Sequence, residues 1–371
     1  TMEIYLVGGA VRDKRLGLPV GERDWVVVGA TPGEMLELGY QPVGKDFPVF
    51  LHPETREEYA LARTERKTGH GYTGFDTCAD PGITLEQDLL RRDLTINAMA
   101  ETPGGELIDP YHGLEDLDNG LLRHVSAAFS EDPVRILRTA RLAARFAPWG
   151  FHVAHSTNAL MRHMVENGEA SHLVAERVWA ELVKALDTDT PARFFNVLDG
   201  CDALHVLFPE LATTDNKSAS RHGQDPVALP VLEQTVSTSQ LTTIRFAALA
   251  CDMDNRHPDG SGEAALAALC ERYRVSNACR DLARLAVQQR HALQAATDLS
   301  PGALLQLLNR VDAFRRPDRF SELLAVCAAD TAASQREFNS DYLLQVLAAA
   351  QSVSTADLQQ QGLSGREIGA A

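Results

Sequence analysis

Residues 4–28 leave few folds open. An apolar run, Ile4-Tyr5-Leu6-Val7, breaks at Gly8-Gly9, an amphipathic stretch follows through Ala10-Val11-Arg12-Asp13, and a β-branched run, Trp25-Val26-Val27-Val28, is introduced by Glu22-Arg23-Asp24. That order reads as strand, glycine turn, helix, strand, the start of an α/β domain. Alternation along a strand puts Glu22 and Asp24 on one face, where they can hold a divalent metal. Paired glycines let backbone N–H groups approach an anion, the helix N-terminus adds positive partial charge, and Arg12 lies one turn in, within reach of a phosphate. Mg²⁺ suits such a carboxylate pair because it fills its other positions with water and phosphate oxygens. Each element alone is explained by a turn or a solvated strand end; together they point to phosphoryl or nucleotidyl transfer.

Further along, Thr84-Leu85-Glu86-Gln87 has the pattern of a capping box and opens a helix with Leu85, Leu89, Leu90 and Leu94 at apolar spacing. The spacing carries this helix through Arg91-Arg92-Asp93 to Asn97. Ser130-Glu131-Asp132-Pro133 reads as another helix start, with Arg135 sharing a face with Glu131 and Asp132, and Arg138, Arg141 and Arg145 continuing at intervals of three and four. A solvated ladder of salt bridges is one reading of that helix. The other is base recognition, since a carboxylate accepts from an exocyclic amine and a guanidinium donates to ring nitrogen or carbonyl oxygen. Glu176, Arg177 and Glu181 fall on a later helix, where Arg177 and Glu181 share a face and would buttress the first. Arg66 to Phe75, rich in glycine and basic residues, reads as a mobile loop near substrate.

These motifs, in this order, resemble the bacterial tRNA nucleotidyltransferases, the class II CCA-adding enzymes of the polymerase beta-like superfamily, in their gammaproteobacterial form. The resemblance is carried by Val7-Gly8-Gly9-Ala10-Val11-Arg12-Asp13, Glu22-Arg23-Asp24, Arg91-Arg92-Asp93-Leu94-Thr95-Ile96-Asn97-Ala98, Ile108-Asp109-Pro110-Tyr111-His112-Gly113, Glu131-Asp132-Pro133-Val134-Arg135 and Glu176-Arg177-Val178-Trp179-Ala180-Glu181. Phe47 to Pro53 and Glu57 to Arg63 look like the CCA-adding branch rather than the polyadenylating one. The resemblance implies an α/β head with a mixed sheet over residues 1–125, a helical neck over 126–190 and an all-α body and tail over 191–371. It also implies CTP, ATP and the tRNA 3′ end as substrates and Mg²⁺ as cofactor. It assigns catalysis and metal to Glu22 and Asp24, and nucleotide contacts to Gly8, Gly9, Arg12, Arg92, Asp93, Asn97, Arg138 and Arg141. Glu131, Asp132 and Arg135 become the protein template that chooses CTP or ATP. Glu22 departs from the family, where an aspartate is usual. A partial activity, adding only CC, only A or a poly(A) tail, and a silent RNA-binding relative are the competing readings, with a non-RNA nucleotidyltransferase as a third.

A formal charge of −16 over 371 residues opposes general nucleic-acid binding, so RNA must meet a local basic surface. No apolar run is long enough for a membrane span, and the six cysteines show no metal-ligand spacing, which together predict a cytoplasmic protein. Beyond residue 150 the periodicity is helical, broken by a polar stretch at 212–226 and by Gly260-Ser261-Gly262. Related enzymes carry a metal-dependent phosphohydrolase at about 226–330. Here Cys251 precedes Asp252 where that domain has histidine, and His222, His257 and His291 are scattered. The expectation is a degenerate region without hydrolase activity.

Overall fold

In the computed structural model, which describes residues 2–43, 49–67, 75–212, 226–353, 355–362 and 364, the glycine motif joins β1 (Glu3–Val7) to α1 (Gly9–Arg15) and β2 (Asp24–Val28). β1 and β2 are antiparallel, with Val7 opposite Asp24. After α2 (Pro32–Glu37) come β3 (Gln41–Val43), β4 (Val49–Leu51) and β5 (Glu58–Leu61). A hairpin of β6 (Thr64–Lys67) and β7 (Phe75–Cys78), α3 (Leu85–Leu90), β8 (Ala100–Glu101) and β9 (Leu107–Ile108) complete the head. The main sheet runs β3-β4-β5-β2-β1-β8-β9, and among the described residues its one parallel pair is β2 with β5. This is the mixed sheet with helices expected from the sequence.

Alternation divides the sheet into two faces. Val7 and Val26 pack with Leu85 and Leu89 of α3 on one, while Val27, Phe50, Tyr59 and Leu61 pack with Met35 of α2 on the other. Asp24 shares the face of Val26 and lies in register with Glu58 of β5. Its orientation is therefore fixed by the pleat.

The chain then enters α4 (Gly113–Asp118), the two-residue strands β10 (Leu121–Leu122) and β11 (His152–Val153), and α5 (Val134–Phe146), followed by α6 (His155–Glu166), α7 (Ala175–Leu186), α8 (Ala192–Gly200) and α9 (Leu204–Leu207). A Cβ on Gly113 would fall on the Thr95 carbonyl, so only glycine fits beneath that turn. Residues 1–227 form one compact unit and 228–371 a second. The second is helical among its described residues: α10 (Pro230–Thr235), α11 (Thr242–Asn255), α12 (Gly262–Arg272), α13 (Asn277–Gln294), α14 (Pro301–Arg310), α15 (Pro317–Ala333), α16 (Ser340–Ser352) and α17 (Thr355–Gln360). Buried Arg290 of α13 ties this unit together, pairing with Asp254 of α11 at 2.7 Å and lying 3.7 Å from Asp330 of α15.

Three local expectations are corrected. β2 begins at Asp24, so Glu22 precedes the strand and alternation does not fix its direction. α3 stops at Leu90, and Arg91 to Asn97 follow in a turn and a single 3₁₀ segment. The cause is side-chain competition for the backbone: Asp93 Oδ1 accepts the Leu94 N–H at 2.8 Å, and buried Asp88 gathers Arg91 and Arg92. Finally, Ser126 rather than Ser130 caps, and it caps a 3₁₀ turn over Ala127–Glu131. Asp132 is extended, and its Oδ1 accepts the Val134 N–H at 3.1 Å as α5 begins. Glu131 thus lies outside the helix that carries Arg135. Most of the loop at 66–75, Phe47-Pro48 and most of the polar stretch at 212–226 fall outside the described residues.

Candidate functional site

A cleft of about 720 Å³ opens where the head sheet meets α5 and α7. Its floor is Gly8, Gly9, Arg12, Glu22, Asp24 and Glu58; Arg92, Asp93 and Asn97 form one side, and Asp132, Arg135, Arg138 and Arg141 the other. Of the residues given catalytic, metal or nucleotide roles above, Glu131 alone is missing from its lining. Glu22, although off the strand, is close enough for its charge to act on Asp24.

Gly8 has φ of 72°, and a Cβ there would lie 3.0 Å from Arg92 Nη1. The positive φ favours glycine there, while the Arg92 tip can give way by a few tenths of an ångström. The Gly8 N–H donates to the Met99 carbonyl at 3.2 Å, so this residue contributes space rather than an anion-facing amide. Guanidinium groups supply donors around it. Arg92 is anchored through Nη2 to Asp88 at 3.1 Å, and its buried Nε has no hydrogen-bond partner. An anion seated beside Gly8 would meet the Nη1 of this guanidinium.

A relay of buried pairs joins the two sides. Arg138 Nε donates to Asp93 Oδ2 at 2.7 Å, Asn97 Nδ2 to Asp93 Oδ1 at 3.1 Å, and Arg12 Nη1 to Asn97 Oδ1 at 2.5 Å. Asp13 then bridges Arg12, at 2.7 Å, and Arg145, at 3.0 Å, while both guanidiniums stack on Phe146. Burial alone would raise the Asp93 carboxyl, but Arg138 and Asn97 outweigh it and hold it well below the usual range. Arg12, 5% exposed and committed to these partners, is a fixed part of the floor rather than a mobile arm. The ladder read along α5 is in fact a set of long-range bridges, since Arg141 pairs with Glu181 of α7 at 2.5 Å.

The second long-range contact from α7 is a fork: Arg177 Nη1 and Nη2 donate to Asp132 Oδ1 and Oδ2 at 3.2 and 2.9 Å. Arg135 donates to the Ala128 carbonyl at 2.7 Å and the Arg91 carbonyl at 2.6 Å. Asp132 and Arg135 therefore do not pair with each other as spacing suggested. Each is locked separately, one as acceptor and one as donor.

Asp24 opens into the cleft beside its register partner Glu58. Desolvation raises its carboxyl, Glu22 adds to the rise, and Arg92 and Arg138 oppose it. Among the described residues no set of three or more His, Cys, Asp or Glu forms a ready-made metal cage. One or two carboxylates facing a polar cleft are what Mg²⁺ takes, and a cation here would relieve the crowding of negative charge around Asp24.

Glu58, which the sequence leaves open as either a third carboxylate of the metal site or an exposed residue, lines the cleft, and Asp88, Arg63 and Lys184 join the cleft or its support without having been assigned roles from the sequence. Asp88 was readable as an i, i+3 and i, i+4 partner of Arg91 and Arg92. The others depend on register and on α7 and carry no local signal.

Comparison with known proteins gives a consistent result. Residues 4–123 match the family described as "Poly A polymerase head domain", and residues 150–214 match "Probable RNA and SrmB-binding site of polymerase A". The "Multifunctional CCA protein" of Thioalkalivibrio sulfidiphilus is 51% identical over 391 residues, covering 100% of this chain and 96% of that protein. The structure of a Bacillus stearothermophilus CCA-adding enzyme in complex with CTP is similar with a TM-score of 0.67, at 20% identity over 98% of this chain and 85% of that one. A Thermotoga maritima CCA-adding enzyme complexed with tRNA has a TM-score of 0.55, at 23% identity over 93% of this chain and 82% of that one. No described helix is long and apolar enough to cross a membrane.

Proposed function

This chain belongs to the family of CCA-adding tRNA nucleotidyltransferases, and from that premise we propose how its cleft performs the reaction. The protein adds CCA to the 3′ end of tRNA from CTP and ATP without a nucleic-acid template and releases pyrophosphate. The observation that carries the assignment of residues is the convergence, in one cleft, of Asp24, the Gly8 and Arg92 cradle, and the separately locked Asp132 and Arg135.

In the reaction the tRNA 3′-oxygen bonds to the α-phosphorus of the incoming nucleotide, the bond to the β-phosphate oxygen breaks, and the hydroxyl proton is lost. Little covalent chemistry is asked of the protein; positioning and charge neutralisation dominate. Arg92, whose Nη1 lies beside Gly8, takes triphosphate oxygens, and Arg138 and Arg141 add positive charge along the neck side. Asp93 and Asn97 hold Arg138 and Arg12 in place on the ribose side of the pocket. Asp132 accepts from the exocyclic amine common to cytosine and adenine, and Arg135 donates to the adjacent ring position. Because the fork from Arg177 and the two carbonyls fix these groups, the base meets a rigid edge. Glu22 and Asp24 would hold Mg²⁺. When bound, the ion supplies charge neutralisation at the reacting phosphate and alignment of the attacking oxygen.

The test is incubation of the protein and Mg²⁺ with a tRNA transcript lacking its 3′ end, with CTP, ATP or both, and products resolved to single nucleotides. Two additions with CTP and a third only when ATP is present are expected, and Asp24→Ala should abolish them while the far-UV spectrum is unchanged. Stopping at CC, adding only A, or making long A tails would replace the assignment with that narrower activity. Retained activity in the Asp24→Ala protein would remove Asp24 from the site.

A further inference from the structure

We propose that Asp88 is a positioning residue for nucleotide transfer: one buried carboxylate sets both Arg92, which takes triphosphate oxygens, and Arg135, which reads the base. The proposal deepens the function above and rests on the roles given there to Arg92 and Arg135.

Asp88 lies in α3, three and four positions before Arg91 and Arg92. The helix has ended where the two arginines begin, with Arg91 as its C-cap, and the Arg92 N–H reaches back only to the Leu89 carbonyl, at 3.1 Å. Their side chains are therefore placed by the carboxylate rather than by a continuing helix. Asp88 is 0% exposed and is absent from the lining of the cleft, so it acts through its partners alone.

Those partners belong to three parts of the site. Asp88 Oδ2 accepts from Arg92 Nη2 at 3.1 Å, which leaves Nη1 of the same guanidinium beside Gly8. Asp88 Oδ1 accepts from Arg91 Nη2 at 2.8 Å and Nε at 3.1 Å, and from the Arg63 backbone N–H at 3.2 Å. Arg91 Nε also donates to the Arg63 carbonyl at 3.1 Å, closing a ring at the corner between β5 and β6. β5 carries Glu58 in register with Asp24. On its other side, the Arg91 carbonyl accepts from Arg135 Nη2 at 2.6 Å. Asp88 thus reaches the phosphate side through one bond and the base side through Arg91.

Its charge is what holds the set. Burial alone would raise the Asp88 carboxyl, but Arg92 and Arg91 outweigh it and keep it below its ordinary value. The Arg91 and Arg92 side chains are only 15% and 18% exposed, so water does little to replace that anion. An asparagine of the same shape turns one acceptor oxygen into a donor and leaves two neighbouring guanidiniums uncompensated.

Base choice depends on the same support. Cytosine presents an exocyclic amine and an unprotonated ring nitrogen where uracil presents a carbonyl and an N–H. A guanidinium fixed opposite the ring nitrogen accepts cytosine and opposes the uracil N–H, donor against donor. It discriminates only as sharply as it is held. With Asp88 neutral, the Arg91 main chain is released, and Arg135 keeps the Ala128 carbonyl but loses a fixed second support.

The experiment compares the full chain with Asp88→Asn and with Arg91→Gln. Kd values for CTP and UTP are measured by calorimetry without RNA, alongside incorporation of each into a tRNA transcript lacking CCA and thermal melting. For Asp88→Asn, the Kd and KM for CTP should rise about tenfold or more and the preference for CTP over UTP should fall about tenfold, with kcat at saturating CTP within about threefold of the parent. Arg91→Gln leaves Arg92 on Asp88, so the preference should fall while the Kd for CTP moves by less than about threefold. A lowered melting temperature with parental Kd, KM and preference would overturn the proposal and leave Asp88 a scaffold residue, as would a fall in kcat alone. Kd values for CTP and UTP raised by the same factor would overturn the link to Arg135. If Asp88→Asn does not fold, Arg91→Gln decides, and a parental preference in that variant overturns the link. A parent that binds CTP without extending tRNA would count against the function above, while the Kd comparison still decides the role of Asp88.

Discussion

Asp93→Asn removes one charge and almost no volume from the centre of the cleft, which makes it a sharp probe of the relay. Asp93 is 6% exposed and accepts from Arg138 Nε at 2.7 Å, Leu94 N at 2.8 Å and Asn97 Nδ2 at 3.1 Å. An asparagine oxygen can keep the Leu94 and Asn97 bonds, but its amide then faces Arg138, donor against donor. Orphaning one partner of a fully buried ion pair costs about 3–5 kcal/mol. The Arg138 side chain is 40% exposed, so water recovers part of this and about 2 kcal/mol should remain. For a unit of this size that lowers the melting temperature by roughly 4–8 °C. The pH dependence has a definite sign. The folded-state pKa of Asp93 is depressed below the ordinary 3.8, so its contribution is complete above that value and disappears as pH falls toward the folded one. Thermal unfolding of parent and variant should show a constant gap at pH 7 and pH 5 that narrows below about pH 4. Equal melting temperatures at pH 7, or a gap that widens in acid, would refute the reasoning. Freed of its partner, Arg138 should also lose its position, and kcat/KM for CTP should fall by about tenfold or more.

Other outcomes follow from the same structure. Glu22→Asp should change turnover by less than about threefold, because Glu22 precedes β2 on backbone free to absorb one methylene; a gain above tenfold would mean the native site is impaired. Arg290→Ala should destabilise the second unit by about 3–5 kcal/mol, since Arg290 is 1% exposed and leaves Asp254 and Asp330 facing a cavity; a loss under about 1 kcal/mol in urea unfolding would show that these carboxylates need no cation. The protein should not hydrolyse 2′,3′-cyclic phosphates with any added divalent metal. Both Asp252 oxygens are occupied by the Val231 and Leu232 N–H groups, at 3.0 and 2.8 Å, and Cys251 supplies no imidazole. Metal-dependent hydrolysis abolished by Asp252→Ala would prove the region intact.

What the sequence determined by itself is local. The strand, glycine turn and helix from Glu3 to Arg15, the Thr84 capping box, the helix through Arg138 and Arg141, and the helical second half are all legible because periodicity and capping act within a few residues. Ordered motifs also brought Asp24, Arg92, Asp93, Asp132 and Arg135 to notice as one group. Tertiary structure decided who pairs with whom. Asp93 holds Arg138, 45 positions away, and Asp132 is gripped by Arg177 rather than by Arg135, three positions away. A carboxylate on a helix start is compatible with any arginine that packing brings near, so spacing proposes the local partner and the fold selects the distant one. The same holds for Glu58, which stands beside Asp24 only because β2 and β5 run parallel in that register, and for Arg290, whose helical spacing gives no sign that three helices converge on its charge. Sequence specifies which chemical groups are available; the long-range packing that excludes water from them decides which become partners.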